Sequence, residues 1–324
     1  DLGFLENRIN VAMDVYTRDN HDLIGTTRTQ GVGGEIAKFA NIASMKSHGF
    51  ELSVSSNNIK TKDFSWNTDF IYSIYKNEVT DLNAIATTMD YVSGTGFTMV
   101  GYPHRGLFSI PFAGLDSNGI PMFYNEKGEI TSTDLSFQSS DDFSWLKYEG
   151  PTEPTFTGSL GNSFTYKNVH LNVFFTYSGG NVVRLDPVFS YRYSDLTATT
   201  REFKNRWMVP GDENRTNVPT ILSYRQYYEN AELRNAYSAY NYSTERVAKG
   251  GFIRLKEISV AYDFPKKWLS ALKVSNVSLK LQATNLCLLY ADKKLNGQDP
   301  EFVNSGGVAS PVPRQFTMTL RLGL

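Results

Sequence analysis

The sequence has a single cysteine, almost no net charge and no long apolar run. Cys287 stands alone, so no disulfide can form within the chain, and its strand-like apolar surroundings predict a packed side chain. A net charge of −1 over 324 residues gives no electrostatic reason to expect nucleic acid as a partner. The longest apolar stretch, near LCLLYA, is far shorter than the roughly 20 residues of a membrane-spanning helix. A membrane protein that crosses with strands stays possible, because alternating strands give only a weak hydropathy signal.

The sequence also lacks a recognisable set of catalytic or metal-binding residues. Its four histidines have no metal-ligand spacing and stand at His21, His48, His104 and His170. The glycine-containing stretches at 93–97 and 178–182 have no phosphate-binding context. Residues 292–301 do not follow the order of ligands in a calcium-binding loop. We therefore predict a protein that is not an enzyme and that binds no cofactor or metal.

Aromatic residues are abundant, at 14% of the chain, and apolar residues alternate with polar ones in many places. Alternation with a period of two is typical of strands that have one apolar and one polar face. We therefore predict an all-β protein. Eight strands are expected, at residues 8–18, 48–57, 64–75, 155–166, 169–180, 251–265, 276–286 and 314–324.

The connections between the predicted strands alternate between long and short. The long ones are residues 18–46, 79–153, 181–250 and 291–313. Loops beyond about 15 residues are uncommon in compact domains, and in an antiparallel sheet this alternation places all of them at one end. It is the pattern of a transmembrane β-barrel with long external loops and short periplasmic turns. Aromatic residues beside the short turns fit an interfacial belt, as at Trp66, Phe164 and Tyr262.

The second face of the predicted strands is rich in Ser, Thr, Asn and Asp, which suits a wet lumen better than the packed interior of a small barrel. Eight strands of this kind predict part of the wall of a larger barrel, with further strands upstream. In the strand at 251–265, the lipid side is predicted to carry Ile258, Val260, Tyr262 and Phe264. The lumen side is predicted to carry Glu257, Ser259, Ala261 and Asp263. Simple alternation also places Arg254 and Lys256 on the lipid side, near the external end.

Several segments resemble SusC/RagA-like TonB-dependent outer-membrane transporters. The strongest are GGFIRLKEISVAYDFPKKWL at 250–269 and LQATNLCLLYADKKLNGQDPE at 281–301, followed by AGLDSNGIPMFY at 113–124. The resemblance implies a barrel of 22 strands with an N-terminal plug. Residues 1–324 would then be the C-terminal portion of that barrel, carrying its last eight strands, with the plug and the upstream strands absent from this chain. Residues 1–4 would be the tail of the preceding strand.

The resemblance also implies a function. It is the active import of a nutrient, a glycan or a peptide oligomer, through a plug-gated barrel in the outer membrane of a Gram-negative, Bacteroides-type bacterium. The implied partners are a SusD-like lipoprotein lid, the TonB energy-coupling complex, the solute and the lipid bilayer. The alternative is a soluble secreted β-sandwich, as a carbohydrate-binding or hydrolase domain. In a sandwich, Val260, Leu279 and Leu320 would be buried between two sheets.

Tyrosine is dense in the long loop at 181–250. Aromatic side chains with hydrogen-bonding tips dominate recognition surfaces, so we predict that residues of this loop contact the solute or a partner. The alternative is that they pack the loops together. The candidates are Tyr191, Tyr193, Trp207, Tyr224, Tyr227, Tyr228, Tyr237, Tyr240 and Tyr242.

Overall fold

A computed structural model describes residues 1–28, 31, 33–138, 142–188, 200–269, 274–303 and 311–323. Strands dominate these residues. In chain order they are β1 (Leu2–Phe4), β2 (Ile9–Arg28), β3 (Ala37–Lys60), β4 (Phe64–Leu82), β5 (Gly106–Ser109), β6 (Phe112–Leu115), β7 (Pro121–Tyr124), β8 (Ile130–Thr131), β9 (Lys147–Pro151), β10 (Phe156–Tyr166), β11 (Val169–Gly179), β12 (Val182–Arg184), β13 (Val247–Lys249), β14 (Phe252–Asp263), β15 (Asn276–Ala291) and β16 (Gln315–Gly323).

Nine of these strands form one sheet, in the order β1-β2-β3-β4-β10-β11-β14-β15-β16, which we call the wall. Each neighbouring pair is antiparallel, so the chain runs up and down and the long connections leave from one end. The eight predicted strands are all found. The three residues Leu2–Phe4 pair with β2, as expected for the tail of a further strand.

The two faces of the wall differ in the way the alternation predicts. Leu171, Val260, Leu281 and Met318 are register partners across four neighbouring strands and form an apolar row. The side chains of Val260, Leu281 and Met318 are 43%, 53% and 71% exposed. No second sheet among the described residues covers this row, so the β-sandwich alternative is wrong.

One side assignment that the sequence predicts for β14 is also wrong. The register shifts between Leu255 and Glu257, and Lys256 has no partner on either neighbouring strand. A β-bulge of one residue reverses the alternation on one side of it. Arg254 therefore shares the polar face with Glu257 and Ser259 instead of the lipid face.

The predicted loop at 18–46 is mostly strand. β2 continues to Arg28 and β3 begins at Ala37, with ladder pairs such as Thr26 with Phe39 close to the tip. A strand crosses a bilayer in about 9–11 residues, so roughly half of this 20- and 24-residue pair projects beyond it. Outside the membrane neither face has to be apolar, so the alternation fades while the backbone ladder continues.

The long loops have secondary structure and a core of their own. Residues 83–155, the β4–β10 loop, contain β5 paired with β9 and the small sheet β6-β7-β8. Residues 180–251, the β11–β14 loop, begin and end with the β12–β13 pair. The helices are α1 (Thr88–Val92), α2 (Tyr224–Glu229), α3 (Ala231–Asn241) and, between β14 and β15, α4 (Lys266–Leu269). No helix in the described ranges is both long and apolar enough to span a bilayer.

The main core of the described residues lies in these loops and not in the wall. It joins side chains of both long loops, among them Val92, Phe108, Ile110, Phe123, Ala236 and Tyr240, each at most 2% exposed. Burial of large apolar side chains is the main favourable term in folding. The two loops therefore form one packed body, which we call the loop layer.

Candidate functional site

A buried arginine joins the two halves of the loop layer. Arg184 stands at the end of β12 in the β11–β14 loop. Its Nη2 donates to the carbonyl oxygens of Phe108, at 2.7 Å, and Val92, at 3.1 Å, both in the β4–β10 loop. Its Nη1 donates to the carbonyl oxygen of Ser243 at 2.8 Å. Burial lowers the pKa of Arg184 to about 10, which is still well above neutral pH, so the guanidinium stays charged. Its hydrogen bonds fix the two loops against each other.

Two of the predicted contact residues, Tyr237 and Tyr240, lie inside this layer. Both are on α3, where the small side chains of Ala236 and Ala239 let the helix pack closely. Tyr240 is 1% exposed, and Tyr237 donates its hydroxyl to the carbonyl oxygen of Thr220 at 2.7 Å. Burial raises the pKa of both phenols because it disfavours the charged form. In this arrangement they pack the loops together, as the alternative reading of these residues predicts.

Three other predicted residues, Tyr224, Tyr227 and Tyr228, lie together on α2, and we call them the tyrosine surface. Tyr224 and Tyr228 are four residues apart on one side of the helix, are 74% and 49% exposed, and have ring centroids 4.3 Å apart. The ring of Tyr227 meets that of Tyr228 edge-on at 5.2 Å. Ser223 and Gln226 form a capping box that starts the helix. Flat rings are thus held side by side on the outside of the loop layer.

The remaining candidates are less exposed or outside the described residues. Trp207 is half-buried, and its indole N–H donates to Oε2 of Glu213 at 2.9 Å. Tyr242 is also half-buried and meets the ring of Phe137 edge-on at 6.1 Å. Tyr191 and Tyr193 lie outside the described residues. The structure thus brings one group of the nine candidates, the tyrosine surface, together in an exposed position.

A charged cavity of about 530 Å³, which no motif in the sequence indicates, lies where the β11–β14 loop meets the connection between β15 and β16. We call it the junction cavity. Its charged groups are widely separated along the chain and resemble ordinary solvated loop residues in the sequence, so only the fold brings them together. Its charged and apolar lining includes Leu185, Glu202, Arg206, Asp212, Arg215, Val218, Tyr240, Glu245, Arg246 and Lys294.

Polar contacts hold residues 292–303, which we call the β15–β16 loop, in place beside this cavity. Nη2 of Arg254 lies 2.6 Å from Oδ1 of Asp299 and 2.7 Å from Oε2 of Glu301. Nδ2 of Asn296 donates to Oε1 of Glu202 at 2.7 Å. Because Arg254 stands on the polar face of β14, the loop is drawn over that face of the wall. The junction cavity therefore lies on the side of the polar face.

The histidines do not form a metal site. His170 lies beside a short turn, with its Nε2 2.9 Å from Oδ2 of Asp263. In the part of the chain that the structure describes, no three His, Cys, Asp or Glu side chains are grouped so that they could hold a metal ion.

Comparisons with known proteins give the chain its relatives. No family model matches it. TonB-dependent receptor P3 of Formosa agariphila is 26% identical over 326 residues, which cover 93% of this chain and 30% of that receptor. TonB-dependent receptor SusC of Bacteroides thetaiotaomicron is 27% identical over 356 residues, which cover 100% of this chain and 31% of that receptor. The chain thus spans about a third of the length of the curated relatives it matches.

Solved structures match the fold along nearly the whole chain. The RagAB peptide importer in its open-open state superposes with a TM-score of 0.74 at 21% identity, covering 99% of this chain and 33% of that one. A further structure of the RagAB peptide transporter superposes with a TM-score of 0.71 at 19% identity. The wall is therefore part of a larger antiparallel transmembrane β-barrel. The match to TonB-dependent receptors assigns this barrel to the outer membrane. Within that class the chain is related to the SusC/RagA-like TonB-dependent receptors, which confirms the resemblance seen in the sequence. The matched proteins are receptors and a transporter and not enzymes.

Proposed function

We propose that this chain is the C-terminal part of the barrel of an importer that carries nutrient oligomers across the outer membrane. The observation that carries the proposal is the match to TonB-dependent receptors along 93–100% of the chain. Transport through such a barrel moves a solute across the membrane and requires no bond-making chemistry. Glycan and peptide oligomers are both candidates, and RagAB is a peptide importer.

We propose the tyrosine surface as a contact for the solute or for the lid. Tyr224 and Tyr228 are 74% and 49% exposed, and their rings are tilted against each other with centroids 4.3 Å apart. Nη1 of Arg234 donates to the carbonyl oxygen of Tyr227 at 2.6 Å and so braces the surface from behind. A rigid group of aromatic rings loses little conformational entropy on binding. Trp207 and Tyr242 support the same layer, and Tyr191 and Tyr193 remain candidates by their type alone.

We propose that the projecting end of the β2–β3 hairpin contacts a SusD-like lipoprotein lid. Its tip exposes three large apolar side chains, Ile24, Ile36 and Phe39, at 74%, 79% and 80%. About ten residues of each strand at 3.3 Å per residue reach about 30 Å beyond the membrane. Exposed apolar side chains at the end of such an arm fit a protein partner better than solvent. Energy coupling by TonB would act through the plug, outside these residues.

Fractionation and uptake test the proposal with the full-length protein that contains this chain. We expect the protein in the outer-membrane fraction, with electrophoretic mobility that changes on boiling, and we expect uptake of a labelled oligomer that stops when TonB is deleted. Co-purification of a lipoprotein should be lost on Phe39→Asp and retained on Ile85→Asp, a control that is 64% exposed in the β4–β10 loop. Uptake that continues without TonB would refute the import mechanism.

A further inference from the structure

We propose that the junction cavity binds a carboxylate group of the imported solute. This inference rests on the proposed import function for the identity of the solute, while the charges and contacts of the lining define the site. Its size lies within the roughly 300–1,000 Å³ of ordinary ligand pockets. The cavity lies at the contact between two loops, one of which is drawn over the polar face of the wall.

The carboxylates of the lining are already engaged. Glu202 pairs with Arg246 and also accepts from Asn296. Glu245 lies 3.8 Å from Nζ of Lys294. Asp212 accepts from the backbone N–H groups of residues 208 and 209, both at 3.1 Å. Each of these three carboxylates therefore already has a partner in the lining or in the nearby backbone.

Two of the four cationic side chains in the lining, those of Arg206 and Arg215, form no ion pair with a carboxylate among the described residues. The guanidinium of Arg206 lies over the ring of Phe203 at 4.8 Å, and its Nη1 donates to the carbonyl oxygen of Phe203 at 3.4 Å. These contacts hold its plane and leave the edge formed by Nε and Nη2 without an acceptor among the described residues. A fixed guanidinium edge matches the two oxygens of a carboxylate. The arrangement therefore favours an anion with planar, two-oxygen geometry.

The charge balance of the lining points to the same conclusion. Arg246 is 3% exposed and is held by Glu202 and by the carbonyl oxygen of Asp186. Four cations against three carboxylates leave the lining with one net positive charge. Beside these charges, Leu185, Val218 and Tyr240 supply an apolar wall for the body of a solute.

The shared chemistry of the ligand is a carboxylate on a small oligomer, and two sources carry it. One is the uronic acid unit of a glycan, and the other is the C-terminal end of a peptide. The test uses calorimetric titration of the full-length protein in detergent with digalacturonate and with N-acetyl-dialanine. Each acid has a neutral counterpart, the methyl ester or the C-terminal amide. The variants are Arg206→Gln combined with Arg215→Gln, and Arg225→Gln as the control, because Arg225 pairs with Glu229 outside the cavity.

We expect at least one acid to bind about tenfold or more tightly than its neutral counterpart, because a charge-assisted bidentate contact is lost in the counterpart. The double Gln variant should lose this preference, and Arg225→Gln should keep it. The acid that shows the preference identifies the source of the carboxylate. Equal binding of acids and neutral counterparts, or a preference that survives in the double variant, would overturn the assignment.

Uptake measurements distinguish a failure of the carboxylate site from a failure of the import proposal. If the acid preference is present in detergent but labelled oligomer does not enter cells in a TonB-dependent way, the carboxylate site stands and the import function fails. If neutral oligomers enter cells normally and the acid preference is absent, import stands and the site assignment fails.

Discussion

Replacing Arg254 with methionine is expected to free the β15–β16 loop from the wall. Arg254 and Asp299 both have side chains that are 7% exposed, and a single nitrogen of the guanidinium lies within 2.7 Å of both carboxylate oxygens. Removing one member of a buried pair leaves the other charge without compensation, which costs about 3–5 kcal/mol. Glu301 is 41% exposed and returns to water, so its lost contact adds little.

The loop can avoid this cost by opening and hydrating Asp299. A change of about 3–5 kcal/mol corresponds to an open fraction that rises by roughly 10²- to 10³-fold or more. Hydrogen exchange followed by mass spectrometry on the peptide covering residues 292–303, in the full-length protein in detergent, measures this opening directly. The wall peptide covering residues 169–179 should exchange as in the wild type, because its ladder is untouched.

A double replacement gives the matched control. Arg254→Met combined with Asp299→Leu removes both charges and leaves two apolar side chains, so protection of the loop should return most of the way. The reasoning is refuted if exchange of residues 292–303 is unchanged in Arg254→Met, or if the double variant opens as far as the single one.

Three further outcomes are expected. Gly119→Ala should weaken the loop layer by more than Gly128→Ala: both glycines have positive φ, 75° and 76°, but a Cβ at Gly119 would lie 2.6 Å from a tryptophan ring whereas Gly128 faces open space. Equal shifts in thermal unfolding of the two variants would count against this packing. Burial raises the pKa of Tyr148 to about 12 from 10.0, so its stabilising effect is complete below pH 10 and disappears as the pH rises towards 12. The difference in phenolate absorbance between the wild type and Tyr148→Phe should titrate near pH 12. A difference that titrates near pH 10 would contradict the burial of this phenol. Tyr224→Ala should reduce uptake by about tenfold, as expected for an aromatic contact residue, with Tyr124→Ala, another exposed tyrosine, as an unaffected control; equal uptake by both variants would remove the tyrosine surface from the site.

The wall could be predicted from the sequence because each of its strands carries its own signal. In β10 and β11, apolar side chains alternate over 11 residues, and the register pairs such as Phe164 with Leu171 follow from a two-residue turn. One apolar face is required wherever lipid is the solvent. That requirement is local, so a single sequence is enough to reveal it.

Two features of the wall could not be predicted in this way. The bulge at Lys256 shows in the sequence only as a step of three between the apolar residues Leu255 and Ile258. A strict period of two does not allow for this step, so simple alternation places Arg254 on the wrong face. The outer halves of β2 and β3 are strands without an apolar face, held by backbone pairing such as Arg28 with Ala37. In these outer halves the apolar alternation that identifies a strand is absent because lipid does not enforce it there.

The loop layer depends on contacts between residues that are distant in sequence. Arg184 donates to Phe108, 76 positions away, and Arg254 pairs with Asp299, 45 positions away. No periodicity reports such contacts. For the same reason Tyr240 looked like an exposed contact residue in a tyrosine-rich loop, although it is part of the core.

These distant contacts connect the wall to the loop layer in series. Arg254 on the polar face of β14 holds the β15–β16 loop through Asp299. That loop holds the β11–β14 loop through the contacts of Asn296 with Glu202 and of Gln298 with Asp186, at 2.7 and 2.9 Å. The β11–β14 loop in turn holds the β4–β10 loop through Arg184. The first two connections are directional polar contacts, and the third adds the apolar core that the two long loops share. The loops around the junction cavity are therefore joined to β14 through a continuous series of contacts.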